Sequence, residues 1–366
     1  MSQVEKPLKF LFINFELPQS KRVQFEKIIR TQTPQSSTHL SQTSLSRNEL
    51  IIIIEKSSFQ SVITACEKYI PDLYGLMISV EDNNSLRLNE QLSFSWSSIT
   101  GNKSSFYSGF SLRFELIMSL VVYALAHYNR ASEINDCSNE SSFDENAKLM
   151  VNHLKIAAGI FNFITSVELP RWMNLPEDRP TECRQGFSLA MYELCLSTAL
   201  SITARKAVKQ STSPSIISKL HCEAWQKAEM TKQFLKDLEN SLYKKLPKSL
   251  KQIVSNIIII EYSKTLMFMA LNSKAQGKIS DALGYFYQVN FSKIKKPSNT
   301  KISTILNSIV NDVTIEQQAL SRENEVIYFE KRTDINSLPE KPSPMPKSIV
   351  NMVTFSPPLP SFMSIN

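Results

Sequence analysis

At 366 residues and 42% hydrophobic content, the chain is long enough for one large domain or two of ordinary size, with ample material for a core. Its 7 glycines are too few for the phosphate loops of P-loop and Rossmann folds or the dense turns of immunoglobulin sandwiches. A formal charge of +7 favours acidic contacts, but the Lys and Arg residues are scattered and read mainly as solvated helix faces.

In chain order, the N-terminus MSQVEKPLKF has none of the features of a secretory signal. LKFLFINFEL, 8 to 17, carries the aromatic and β-branched mix of a strand. QTPQSSTHLSQTSLSRN, 32 to 48, reads by composition as a loop or linker. LSFSWSS, 92 to 98, sets Leu92, Phe94 and Trp96 against serines at period two, a half-buried strand, and the two strands are expected to share a small antiparallel sheet.

From about residue 108 the pattern becomes helical, with helices expected near 108–134, 145–167, 184–209, 214–245, 248–276, 279–294 and 300–324. Pro180, Pro214, Pro247 and Pro297 mark starts or connections. The run LIMSLVVYALA, 116 to 126, is the longest nearly apolar stretch read here and falls short of the ~20 residues that span a bilayer, so a soluble chain is expected. In HLKIAAGIFNFITSVELP, 153 to 170, the apolar residues recur at steps of three and four while Ala157, Ala158 and Gly159 leave almost no side chain. That combination predicts the close approach of another helix, with Pro170 as the stop. AQGKISDALGYF, 275 to 286, has the turn glycine and the alanine and aromatic positions of a tetratricopeptide-type hairpin, without a recurring period. The tail from 333, with KPSPMPK and SPPLP, is expected as an extended strap, with PPLP as a ligand for an SH3 or WW domain as the lesser alternative.

No chemical motif stands out. HExxH, GxSxG, DDxxD and His-Cys clusters are missing from the sequence, and His39, His127, His153 and His221 are dispersed, so no catalytic centre, metal or cofactor is expected. Basic residues do not interleave with aromatics at a groove-tracking spacing, so nucleic acid is not an expected partner. Cysteines 66, 137, 183, 195 and 222 are odd in number and contain no CxxC, which suits reduced thiols in a cytoplasmic protein.

Four stretches in order resemble the Bro domain family, the boomerang-shaped helical modules of Alix, Brox and their relatives. They are LRLNEQLSFSWSS (86–98), HLKIAAGIFNFITSVELP (153–170), ITARKAVKQSTSPSIISKL (202–220) and ENEVIYFEKR (323–332). The resemblance runs from about residue 8 to the 350s and is closest in layout to Brox. The chain ends Ser364-Ile365-Asn366, however, with no Cys after Cys222, so the prenylation box expected of Brox is missing from this sequence.

The resemblance implies a mostly α fold, a boomerang-shaped solenoid of tetratricopeptide-like hairpins with a small N-terminal antiparallel sheet. It implies one Bro-like domain over 1–360, comprising the sheet and first helices (8–100), a solenoid core (108–325) and a proline-rich strap (326–360), with a tail at 361–366. The implied function is a non-enzymatic adaptor of the ESCRT pathway, cytoplasmic and transiently recruited to endosomal or other membranes. Its apolar concave groove would bind the C-terminal amphipathic helix of an ESCRT-III subunit, and an anionic membrane surface is a further implied partner. Position by position, Ile216 and Leu220 match the family's groove contacts, joined by Ile202 or Thr203, and Tyr328 matches a family tyrosine open to phosphorylation or docking. Without the resemblance, Ile216 and Leu220 at i and i+4 read as a core stripe. A generic helical-repeat scaffold for an unrelated peptide, or an all-helical enzyme with a dispersed site, stand as the alternatives.

Overall fold

Long helices build almost the whole body. The structure, a computed structural model, describes residues 10–31, 33–56, 58–82, 93–100, 105–173, 175–295 and 300–362. Helices α1 (Phe25–Ile28), α2 (Pro34–Lys56) and α3 (Phe59–Asp82) precede a hairpin of β1 (Phe94–Ser97) and β2 (Phe106–Gly109). There follow α4 (Leu112–Cys137), α5 (Phe143–Phe163), a short α6 (Leu169–Arg171), α7 (Gln185–Lys209) and α8 (Pro214–Lys236). The series closes with α9 (Asn240–Lys245), α10 (Lys248–Ala275), α11 (Ile279–Tyr287) and α12 (Thr300–Glu323). Each long helix from α2 to α11 packs mainly on its neighbours in the chain, α5 on α7 and α8 on α10 across the short α6 and α9, which is the contact order of stacked helix hairpins.

Local chemistry explains most boundaries. Ser111 caps α4 by accepting the Arg113 amide at 3.1 Å, and Pro214 sits at the first position of α8, where no intrahelical amide is required. Pro170 adds no amide to its ladder. The chain therefore widens into a π turn over Ile164–Glu168 just before it and ends at Arg171. The helix expected at 214–245 breaks into α8 and α9, and the one expected at 279–294 stops at Tyr287.

Two expectations near the N-terminus are corrected. The antiparallel partner of β1 is β2, in register Phe94 with Gly109 and Ser97 with Phe106. The N-terminal chain meets β1 only beyond the segment expected as a strand, at the bridge between Ser20 and Trp96, where the Ser97 amide donates to the Gln19 carbonyl at 2.8 Å and the Lys21 amide to the Ser95 carbonyl at 3.2 Å. Before that it is buried and extended, held by two asparagines on α4 in place of a neighbouring strand. Asn135 Oδ1 accepts the Phe10 amide at 3.0 Å, and Asn129 accepts the Phe15 amide at 3.1 Å and donates to its carbonyl at 2.7 Å. Leu8, Lys9, Leu92 and the 86–92 part of the first family motif lie outside the described residues.

The supposed linker at 32–48 is mostly helix α2, with Ser36, Thr43, Ser44, Ser46 and Arg47 buried. Ser and Thr are tolerated there because each buried hydroxyl finds a partner. Thr43 donates to the His39 carbonyl at 2.9 Å, Ser44 to Glu26 at 2.5 Å and Ser46 to Asp72 at 2.6 Å.

α5 packs along α4 and α7, and at Gly159 the small-residue stripe admits a further close neighbour, the C-terminal strap. A Cβ on Gly159 would lie 3.0 Å from the Val353 carbonyl carbon and nearer still to its oxygen. The Val353 amide donates to the Lys155 carbonyl at 3.0 Å. The strap meets Gly284 at the Thr333 carbonyl and Gly75 at Phe362, so at three places its course depends on the absence of a side chain.

Helices α7 and α10 are each long and apolar enough to cross a membrane, which the reading of the 116–126 run overlooked. Their apolar windows are 83% and 72% buried within the fold, the placement of core helices.

Between α4 and α5, His127 and His153 face each other with their Nδ1 atoms 2.8 Å apart. Burial and then the neighbouring His153 hold the His127 imidazole down to about 3 from an ordinary 6.5. Below pH 6.5 the unfolded chain takes up a proton here that the folded chain refuses, so stability falls as pH drops from 6.5 toward 3. His127→Gln is expected to recover about 2 kcal/mol of the stability lost by pH 5. Urea midpoints of both proteins at pH 7.5 and pH 5 measure this, and parallel losses in the two would refute it.

Candidate functional site

The α7–α8 hairpin is set by its turn. α7 ends in a Schellman arrangement, with the Ser211 amide on the Val208 carbonyl and the Thr212 amide on the Ala207 carbonyl, each at 3.0 Å. Ser211 takes the left-handed position, φ 54°, usually given to glycine. Pro214 then opens α8 at once, so the two helices run back to back over most of their lengths.

The four expected groove residues separate into two pairs. Ile216, on the first turn of α8, is 40% exposed, and Thr203 is half-buried. The Thr203 hydroxyl is turned back onto the Ala199 carbonyl at 2.8 Å, so the side chain offers its methyl group. Half-buried Ala207, one turn on, extends the same face of α7. Ile202 and Leu220, by contrast, are buried at 0% and 2% exposure. Leu220 joins the core stripe of Ile217, Ala224 and Ala228, and Ile202 lies about 100° round α7 from Thr203. These two support the surface from beneath.

On the other side of the hairpin lies a buried polar cluster that sequence reading missed. Glu261 of α10 accepts from the Ser201 hydroxyl at 2.8 Å and meets His221 Nδ1 at 2.6 Å. Burial pushes the Glu261 carboxyl up, but His221, Lys264 and the Ser201 hydroxyl outweigh that and hold it below its ordinary value. Burial likewise keeps the His221 imidazole low despite Glu261. The pair is therefore a neutral imidazole bonded to a carboxylate at pH 7. Here the carboxylate stands between serine and histidine. Nucleophilic activation needs histidine on the hydroxyl, so the cluster is a structural clamp joining α7, α8 and α10. Among the described residues no three His, Cys, Asp or Glu side chains gather in a way that could hold a metal ion.

Tyr328 ends a π turn, Asn324–Tyr328, that closes on Phe329 at φ 54°. Asn324 fastens the turn by accepting the Glu330 amide at 3.0 Å. Val326, Ile327 and Phe329 are exposed at 73%, 62% and 76% and do not anchor the strap. The tight turn throws the side chains outward, and the strap is anchored farther along at Thr333 and Glu340. The Thr333 amide donates to the Ser280 carbonyl at 3.0 Å, and the Tyr285 hydroxyl donates to the Glu340 carbonyl at 2.8 Å.

The BRO1-like domain family model matches residues 20–362. The chain belongs to the BRO1-like domain family. Among solved structures, this Bro domain is similar to Alix in an "ALIX BRO1 CHMP4C complex", with TM-score 0.75, 16% identity, and coverage of 96% of this chain and 98% of that one. Alix in complex with the SIVmac239 PYKEVTEDL late domain gives TM-score 0.77 at 16% identity, covering 97% of this chain and 50% of that one. A Bro1 domain solved as a structural basis for endosomal targeting gives TM-score 0.65 at 14% identity, with 92% of each chain covered. A comparison with curated protein sequences finds no match. At these identities the likeness establishes the fold, the boomerang-shaped helical solenoid expected from the four motifs.

Proposed function

We propose that this Bro domain is a non-enzymatic adaptor of the ESCRT pathway that binds the C-terminal amphipathic helix of an ESCRT-III subunit. The observation that carries the reading is the apolar face of the α7–α8 hairpin, where exposed Ile216 lies at the end of α7 that carries Thr203 and Ala207. Support comes from the Alix Bro domain, which shares this fold and was solved with CHMP4C. An amphipathic helix would place anchors at i, i+3, i+4 and i+7 on such a face. A few buried aliphatic side chains at about 1.5–3 kcal/mol each, less the cost of association, amount to micromolar affinity.

Titration with fluorescent ESCRT-III C-terminal helices tests this. Ile216→Asp is the informative variant because its side chain is already in contact with water, whereas an aspartate at Leu220 would unfold the core. Micromolar binding is expected, with Ile216→Asp weakening it at least about tenfold. Unchanged binding in a folded Ile216→Asp protein would remove the groove from this face.

Two further elements suit docking. Tyr328, with its exposed apolar neighbours, offers a site for modification or for a partner domain. PPLP at 357–360 lies outside helix and strand with Leu359 at 89% exposure, and its prolines favour the polyproline form an SH3 or WW domain reads.

A further inference from the structure

The body contains a second recess. A cavity of about 810 Å³ opens between the middle of α12 and the wall made by α7, α8 and α10. It is distinct from the proposed helix-binding face. On α7 its lining residues Arg205 and Val208 lie about 200° and 140° round the helix from Thr203, and on α8 His221 lies about 140° round from Ile216.

Its chemistry is divided. Phe10, Val208, Met267, Phe268 and Ile309 supply an apolar interior. The two facing walls carry opposite charges: Lys264 on α10, and Asp312 with Glu316 one turn apart on α12. Among the described residues Asp312 and Glu316 are in no ion pair or hydrogen bond, and Lys264, whose charge also acts on buried Glu261, donates no hydrogen bond. The cation on the α7 side is committed, since Arg205 pairs with Glu140 at 3.4 Å. α12 is held beyond the cavity by Gln317, which donates to the Phe286 carbonyl at 2.9 Å, and by Glu323, paired with Lys274 at 2.6 Å. These ties leave its middle standing off α10.

We propose that this cavity binds a zwitterionic single-chain phospholipid. The acyl chain fills the apolar interior, the phosphate meets Lys264, and the ammonium lies against Asp312 and Glu316. The volume falls within the range of small-molecule sites, about 300–1,000 Å³. Helical walls satisfy their own backbone groups, so they offer nothing to an extended peptide, whose amides would be stranded in the apolar interior. A hydrocarbon chain needs no such partners. Unlike charges on opposite walls match a headgroup that carries both signs, and a purely anionic head would meet two carboxylates.

The test uses the full chain and a fluorescent lysophosphatidylcholine kept below its critical micelle concentration. Saturable 1:1 binding is expected, competed by unlabelled lysophosphatidylcholine and about tenfold less well by lysophosphatidic acid, which lacks the ammonium. Ile309→Trp, which fills the cavity, is expected to abolish binding. Asp312→Asn with Glu316→Gln is expected to remove the preference for the zwitterion, and Ile216→Asp is expected to leave lipid binding unchanged while it weakens ESCRT-III helix binding at least about tenfold. Non-saturable uptake overturns the proposal. So does full binding by an Ile309→Trp protein whose circular dichroism is native, equal competition by lysophosphatidic acid, or displacement of the lipid by an ESCRT-III helix.

Discussion

Replacing Glu115 by alanine is expected to destabilise the protein by about 3–5 kcal/mol, since it leaves a buried arginine without its counter-ion. Glu115 and Arg47 are 0% and 1% exposed in their side chains. The carboxylate receives Arg47 Nε at 2.8 Å and Nη2 at 3.1 Å, the Tyr69 hydroxyl at 2.9 Å and Trp96 Nε1 at 2.7 Å. Arg47 also donates to the Lys21 carbonyl at 2.7 Å and to the Ser20 hydroxyl at 2.9 Å. One side chain thus joins α2, α3, β1 and α4 and, through Arg47, the N-terminal segment. The double variant Arg47→Met with Glu115→Leu removes both charges and is expected to be more stable than either single change. Urea unfolding with an unchanged m-value measures this, and a loss under about 1 kcal/mol for Glu115→Ala would refute the account.

Gly159→Ala is expected to destabilise, the reverse of its effect on an ordinary helix. In an open helix interior the change is worth roughly 1 kcal/mol in favour of alanine. Here the new methyl meets the main-chain carbonyl of Val353, which no rotamer change can move, and the Val353 amide is tied to the Lys155 carbonyl at 3.0 Å. A loss of about 1–3 kcal/mol is expected, with Gly159→Val at the upper end. Because the conflict lies between α5 and the strap, faster tryptic cleavage after exposed Lys347 is expected to accompany the lower melting temperature. A Gly159→Ala protein as stable and as protease-resistant as the parent would show that the strap does not bear on α5.

Much of this arrangement was legible in the residues. The helices α4, α7, α8, α10 and α12 are found within a few positions of where periodicity and prolines put them, with α8 shorter than expected, because an apolar stripe and a breaker are local properties. The stripe of Ala157, Ala158 and Gly159 announced a close approach, read there as that of another helix, whereas at Gly159 it is the strap that arrives. Helix α2 was illegible for the opposite reason. Its Ser and Thr residues carry turn-like composition, and they become helical only because Glu26, Asp72 and Glu115 arrive from elsewhere to satisfy the buried hydroxyls and Arg47. The segment from Phe10 to Phe15 misled similarly: its strand-like residues are paired with Asn129 and Asn135, more than a hundred positions away. At the candidate site, spacing placed Ile216 and Leu220 on one side of α8, but a difference of about 40° round the helix separates a surface residue from a core one.

The sequence by itself determined the helical class, the sites of the main turns and the extended character of the proline-rich strap, all of which follow from backbone preferences and periodicity over a few residues. Tertiary structure alone decided what lies against Gly159, which strand pairs with β1, which groove candidates reach water and where a cavity opens beneath α12. Those outcomes depend on distances between segments remote in the chain, and a one-dimensional pattern carries the faces of each helix but not the identity of the partner each face will meet.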